Sequence, residues 1–205
     1  MTIAGQPTLQ ATLLTVVAGI ADAVGYITMG AVFAANMTGN TVLAGIAVAE
    51  KRYADAARHL SPLVTFFIGA MLARLILRLW HRPAIAIAIE ALLLAGLDFL
   101  PLGAESKVLI VAFAMGLQAS AITQFGGASI STVVVTSTLA RTADAALDAL
   151  LPGAAKAPPA KTTPRLLLLT WLGYLAGAVA GALLLHVMPY PLIVPAVLLV
   201  LVMFL

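Results

Sequence analysis

Apolar residues in this chain come in long unbroken blocks and do not alternate with polar ones, which is the pattern of buried helices and not of half-exposed strands. The first block covers residues 9–28 and ends near Gly30, which suits a helix C-terminal cap. Residues 31–49 follow, uncharged but with Asn36, Thr38, Gly39 and Asn40 near their middle, and Glu50-Lys51-Arg52 closes them. The stretch from there to His59 is polar enough to read as a surface loop. Residues 60–80 and 84–100 form the third and fourth blocks, joined at Pro83, and 101–107 reads as a loop. A fifth block covers 108–125. The sixth, 129–150, is apolar only as far as Ala140 and then carries Arg141, Asp144 and Asp148. Residues 152–164, proline-rich and basic, predict the longest loop. Residues 166–186 and 192–205 complete the series. A bilayer crossing takes about 20 apolar residues, so the pattern predicts an all-α polytopic transmembrane bundle of about eight helical segments. Six of these are strongly apolar, and the second and sixth are polar or broken.

The two halves of the chain, residues 1–103 and 104–205, echo each other with four segments each. A displacement of 97 residues brings Gly19 onto Gly116, Gly30 onto Gly127, and Asn40-Thr41 onto Ser137-Thr138. A displacement of 108, which absorbs the longer proline-rich loop, brings Gly69-Ala70 onto Gly177-Ala178. Internal repeats of this kind are common in membrane transporters. If every segment crosses, the repeats are parallel; if the polar second and sixth segments dip in and return, the repeats are inverted. Eight crossings put eight of the 11 basic residues on one side and leave Arg74, Arg78 and Arg82 toward the other, whereas six crossings split them seven to four. The sharper split is the better match to the positive-inside rule, so the sequence predicts eight crossings with both termini in the cytoplasm.

Composition narrows the class further. With 62% hydrophobic and 9% charged residues, the chain is neither an ordinary soluble domain nor an intrinsically disordered one. The net charge of +3 reads as loop topology, because no basic run exceeds Lys51-Arg52 and nucleic-acid binding needs a patch. The chain has no Cys, hence no disulfide and no thiolate metal site, and His59, His81 and His186 are scattered at predicted helix ends. No metal or cofactor is expected. HExxH, P-loop and GxSxG patterns are absent, so the sequence does not read as an enzyme. The first residues lack a basic n-region, and Asp22 interrupts the first block, which argues against a cleaved signal peptide.

Candidate chemistry therefore lies in polar residues at membrane depth. In the NMTGNT stretch, Asn36, Thr38, Gly39, Asn40 and Thr41 disfavour a continuous helix, since short polar side chains bond the local backbone instead. Unwound backbone is tolerated in a membrane where it is buried in protein or lines a wet cavity, and transporters bind substrates at such breaks. Thr136, Ser137 and Thr138 answer in the second half, with Gln118 on the fifth segment. Small polar residues also let membrane helices pack closely, the structural alternative for both stretches. Asp22 shares a helix face with Thr15, Gly19 and Tyr26, and an intramembrane acid is a default candidate for proton or cation coupling. Its structural alternative is a hydrogen-bonded packing role, through Tyr26. Arg74 and Glu90 fall at similar depth in a hairpin around Pro83, and the spacing predicts a structural ion pair. Gly173, Gly177 and Gly181 are spaced for a close helix contact, within one subunit or between copies of a homo-oligomer.

The stretches VAGIADAVGYITMGAVFAANMTGNTVLAG, AFAMGLQASAITQFGG and TVVVTSTL resemble the YoaK-like family of bacterial membrane proteins, a family of unknown function. The positions matching its pattern are Asp22, Asn36, Thr38, Gly39, Asn40, Gln118, Thr136 and Thr138, and Ala119 departs from it where an Asn is expected. The resemblance implies a multi-pass protein of the bacterial inner membrane and supplies no substrate. Taken together, the residues predict a small-molecule or ion transporter with its site between the second and sixth segments and Asp22 as the coupling or cation-binding acid. The alternative is a non-transporting scaffold, for assembly or lipid binding. The expected partners are the lipid bilayer and an unidentified solute or ion, with no nucleic acid.

Overall fold

A computed structural model describes residues 6–125, 128–129, 143 and 164–205. Among these lie seven helices: α1 (Pro7–Thr28), α2 (Met37–Ala49), α3 (Tyr53–Trp80), α4 (Pro83–Leu97), α5 (Ala104–Ala121), α6 (Pro164–Val187) and α7 (Ile193–Phe204). The last two are the predicted seventh and eighth segments. Gln124–Phe125 pairs antiparallel with Ala128–Ser129 beyond α5. The predicted sixth segment apart from Ser129 and Ala143, with Thr136, Ser137 and Thr138 in it, and nearly all of the proline-rich loop fall outside the described residues.

Boundaries differ from expectation at α5, which covers Ala104–Ala121 where 108–125 was expected, and, for local reasons, at the starts of α3 and α2. α3 begins at Tyr53, so residues 53–59 are helix and not loop. Asp55 sits in its first turn and pairs with both Arg52 and Arg58 at helical spacing, which favours a helix start. Pro62 lies inside α3 without ending it. Proline removes one backbone donor, and the Ser61 hydroxyl donates to the Arg58 carbonyl at 3.2 Å in its place. α2 begins only at Met37, because residues 29–36 form an irregular turn.

Helix directions follow from which ends meet. Gly173 lies against Thr12, Gly177 against Val16 and Gly181 against Ile20, so α1 and α6 run parallel. Calling the end where α1 finishes the upper end, Gly30 abuts the Arg58 side chain there, and Arg58 reaches Glu105 at the start of α5, with Nε 3.4 Å from the carboxylate. A cavity of about 300 Å³ at this end is lined by Thr28, Asp98, Lys107 and Pro189 among others. Asp98 Oδ2 also accepts the Leu192 N–H at 3.0 Å, placing an acid at the start of α7. Partial burial pushes the Asp98 carboxyl above the ordinary aspartate range, while the Leu192 N–H and the charge of Lys107 pull it back. Thus α1, α4 and α6 run upward, and α3, α5 and α7 run downward.

This order corrects one expectation. The chain leaves α1 at the upper end and enters α3 at the same end, so residues 29–52 go in and come back. At a rise of 1.5 Å per residue, the 13 residues of α2 span only about 20 Å, short of a hydrocarbon core of about 30 Å. The second segment does not carry the chain to the other end of the bundle, as eight crossings would require.

α1 is the most buried of the long helices. It packs on α6, α7 and α5, while α3 packs on α5 and α2, and α4 on α5 and α7. Two crossings bring backbones into direct contact. A Cβ added at Gly19 would fall on the Tyr174 carbonyl oxygen, and one at Gly177 on that of Val16. Likewise a Cβ at Gly69 would meet the Phe113 carbonyl, and one at Gly116 that of Phe66. The glycine face of α6 is therefore used within the subunit. Outward, α3 exposes Val64, Phe67, Ile68, Met71 and Leu75, a stripe too apolar for water and suited to lipid. By length and hydropathy α1, α3 and residues Arg165–Val187 of α6 are sufficient to cross a membrane.

Candidate functional site

The broken stretch between α1 and α2 is built by its own polar side chains. Asn36 caps α2: its side-chain oxygen accepts the Gly39 N–H at 3.0 Å. Gly39 is required because a Cβ there would press on the Phe33 ring and the Asn36 amide. Asn40 is fully buried and ties back to Phe33 twice, accepting its N–H at 2.9 Å and donating to its carbonyl at 2.7 Å. These bonds satisfy backbone groups that a helix would otherwise have paired, which is what lets the chain turn inside an apolar bundle.

Asp22 holds this turn in place. One carboxylate oxygen accepts the N–H groups of Ala35 at 2.6 Å and Asn36 at 3.2 Å. The other accepts the hydroxyl of Tyr174, on α6. Only 3% of Asp22 is exposed. Both N–H groups immediately precede α2, so the acid occupies the electropositive end of that helix, where anions are stabilised. One side chain thus joins α1, the returning segment and α6.

The remaining candidate residues do not converge on it. Tyr26, expected as the partner of Asp22, is exposed and stacks on Phe33 with ring centroids 4.7 Å apart. Thr38 and Thr41 are exposed, and the Thr41 hydroxyl donates to the Met37 carbonyl at 2.8 Å. Gln118 is buried toward the lower end, where its amide donates to the Leu14 carbonyl at 3.0 Å. Thr136, Ser137 and Thr138 lie outside the described residues. Tyr174 was missed by sequence reasoning, since a lone tyrosine in an apolar helix carries no sign of a partner 152 positions away. Among the described residues no three His, Asp or Glu side chains gather as a metal site would need.

The Arg74–Glu90 pair is also corrected. Glu90 is fully buried and Arg74 is exposed, lining a surface groove with Arg78 and Ser120, and no ion pair joins them. On α3 the inward positions are Gly69, Ala73 and Ile76. Arg74 is one residue past Ala73, about 100° further around the helix. Equal depth did not mean a shared face.

A family model described as "Protein of unknown function (DUF1275)" matches residues 10–205, nearly the whole chain. The chain belongs to this family. A curated relative, UPF0700 transmembrane protein YoaK from Bacillus subtilis (strain 168), is 36% identical over 151 residues, covering 68% of this chain and 67% of its own. No solved structure matches. The resemblance to YoaK-like proteins is thus a membership, and this DUF1275 protein is a transmembrane protein, consistent with the apolar outer face of α3.

Proposed function

We propose that this protein is a small-solute or ion transporter of the bacterial plasma membrane, built from two inverted repeats of three crossings each, with a returning segment over residues 29–49 in the first. The observation that carries the proposal is the segment over residues 29–49, pinned at depth by Asp22 and reaching across to α6 through Tyr174. Broken, re-entering segments at the junction of two repeats are where secondary transporters bind their substrates. Asp22 is the acid through which a proton or cation acts: taking up its charge weakens its hold on the Ala35, Asn36 and Tyr174 donors and loosens α2 from α6.

The repeat is supported by correspondence of helices and of contacts. Displaced by 97 residues, α1 falls on α5; displaced by 108, α3 and α4 fall on α6 and α7. Each pair runs in opposite directions. The Gly19–Gly177 crossing of α1 with α6 then corresponds to the Gly116–Gly69 crossing of α5 with α3. Each half therefore lends its first helix to the third helix of the other. Counted along the sequence, six crossings divide the basic residues seven to four in favour of the side on which α1 starts, which supports a cytoplasmic start of α1.

The absence of cysteine allows a direct topology test. Single cysteines at Gln6 and at Ala54, probed with a non-permeant thiol reagent on intact and opened cells, are expected to label from opposite sides. Labelling of both from one side would mean that the returning segment crosses after all.

A second reading, a non-transporting scaffold for assembly or lipid binding, is favoured by one feature: every oxygen of Asp22 is occupied by a protein donor. A thermal-shift screen of purified protein against metabolites and ions separates the two. A transporter gains stability from its solute, about 2.7 kcal/mol at a hundredfold excess over Kd. If no compound in a broad screen stabilises the protein while lipids do, the scaffold is the better account.

A further inference from the structure

We infer that Glu90 is a proton-binding site at mid-depth of the bundle, its carboxyl carried as the neutral acid and ionised only when a conformational change lets water reach α4. The inference stands on Glu90 alone and does not require that the protein transports a solute.

Glu90 is central in the buried stripe of α4, with Ala86, Ile87, Ala91 and Leu94 around it on that face. It is wholly buried, and neither carboxylate oxygen has a hydrogen-bond partner. Asp22, the other acid buried in the bundle among the described residues, has three donors. A buried carboxylate with no donor and no cation is strongly disfavoured, because nothing replaces the water it has lost. The neutral acid avoids most of that cost.

Among the described residues, the elements packed on α4 are α3, α5 and α7. α7 carries no titratable side chain. On α5 the charged residues are Glu105 and Lys107, in the first turn at the upper end. On α3, Tyr53, Asp55, Arg58 and His59 lie at the upper end, and Arg74 and Arg78 are exposed. None of these forms an ion pair with Glu90. Along α4 itself the nearest charges are its two caps, Arg82 at the lower end and Asp98 at the upper, each about two turns from Glu90.

The ligand is a proton because a metal ion would need several oxygen ligands. The other buried polar residues described are Gln10, Thr15, Asp22, Asn40, Gln118 and Thr170. Of these only Gln118 is on a helix packed against α4, and its amide is directed to Leu14. One carboxyl in apolar surroundings can hold H⁺ and little else. Release is a simple dissociation: the O–H bond breaks, the electron pair stays on the carboxylate, and an entering water accepts the proton.

Infrared spectroscopy of the protein in lipid nanodiscs at neutral pH tests this. The chain has three glutamates, and Glu50 and Glu105 have side chains 56% and 77% exposed. With ¹³C-carboxyl glutamate incorporated, wild-type protein is expected to show an isotope-shifted carbonyl band of an undissociated acid. Glu90→Gln should abolish that band and Asp22→Asn should leave it. The isosteric neutral amide should also leave the melting temperature nearly unchanged. Absence of the labelled band in the wild type, or its loss on adding Na⁺ or K⁺ at constant pH, would overturn the inference. The isotope assignment needs only wild-type protein, so it decides the question even if the variant does not fold.

Discussion

Replacing Gly177 by alanine should destabilise the protein by about 3 kcal/mol, at the upper end of what an inserted methyl costs in a packed interior. The added carbon would land on the carbonyl oxygen of Val16, which is backbone and cannot swing aside. Relief requires α1 and α6 to separate along their length, weakening contacts at Gly173 and Gly181 as well. Gly69→Ala should act alike at the crossing of α3 with α5, where the new methyl meets the Phe113 carbonyl. Gly45 and Gly96 are the internal controls, since a Cβ at either meets nothing within 4 Å. Alanine there should be neutral or stabilising by up to about 1 kcal/mol, through helix propensity alone. Once Gly177→Ala has parted the helices, adding Gly19→Ala should cost much less than it does alone. Reversible unfolding in mixed micelles measures all of these. Equal tolerance at Gly177 and Gly45 would mean that α1 and α6 are not in backbone contact.

Asp22→Ala should be at least as damaging, by roughly 3–5 kcal/mol. It strands two backbone N–H groups and the Tyr174 hydroxyl inside the bundle, each costing about 1–3 kcal/mol when left unpaired. Asp22→Asn should be milder. Its oxygen can still accept from Ala35 and Asn36, and its amide can donate to the Tyr174 hydroxyl, which then serves as acceptor. Hydrogen exchange adds a local readout. Amides of residues 33–40 should lose protection in Asp22→Ala, while those in the middle of α3 keep theirs. Thr41→Ala, which removes only an exposed helix hydroxyl bond, is the comparison. If Asp22→Ala melts no lower than Thr41→Ala, the acid does not anchor the returning segment. A coupling role makes a further demand on Asp22→Asn: it should fold, yet lose pH-dependent or cation-dependent stabilisation by any solute found in the thermal-shift screen.

Hydropathy carried the helices well, because burial in a membrane depends on runs of composition that a sequence displays directly. The starts of α4 and α7 and the end of α1 were legible within a residue or two, through Pro83, the prolines before α7 and Gly30. The beginning of α3 was not, since residues 53–59 look like a polar loop until Asp55 is seen between two arginines. In NMTGNT the break in the helix was legible and its use was not. Asn36, Gly39 and Asn40 are occupied in forming the turn, while Thr38 and Thr41 are exposed.

What the sequence determined by itself is the class and membership of this protein: an apolar helical chain with a polar break after an acid-bearing first helix. Those properties are local, held by single residues and the spacing of near neighbours. Only the tertiary structure decided that the second segment returns, that Asp22 bonds Tyr174 and not Tyr26, and that Arg74 turns away from Glu90. Each depends on which helix faces which and in what direction. A side chain on a helix swings about 100° per residue, so two positions at equal depth share a contact only when their faces are turned together. The packing of the backbone at Gly19–Gly177 and Gly69–Gly116 sets those faces.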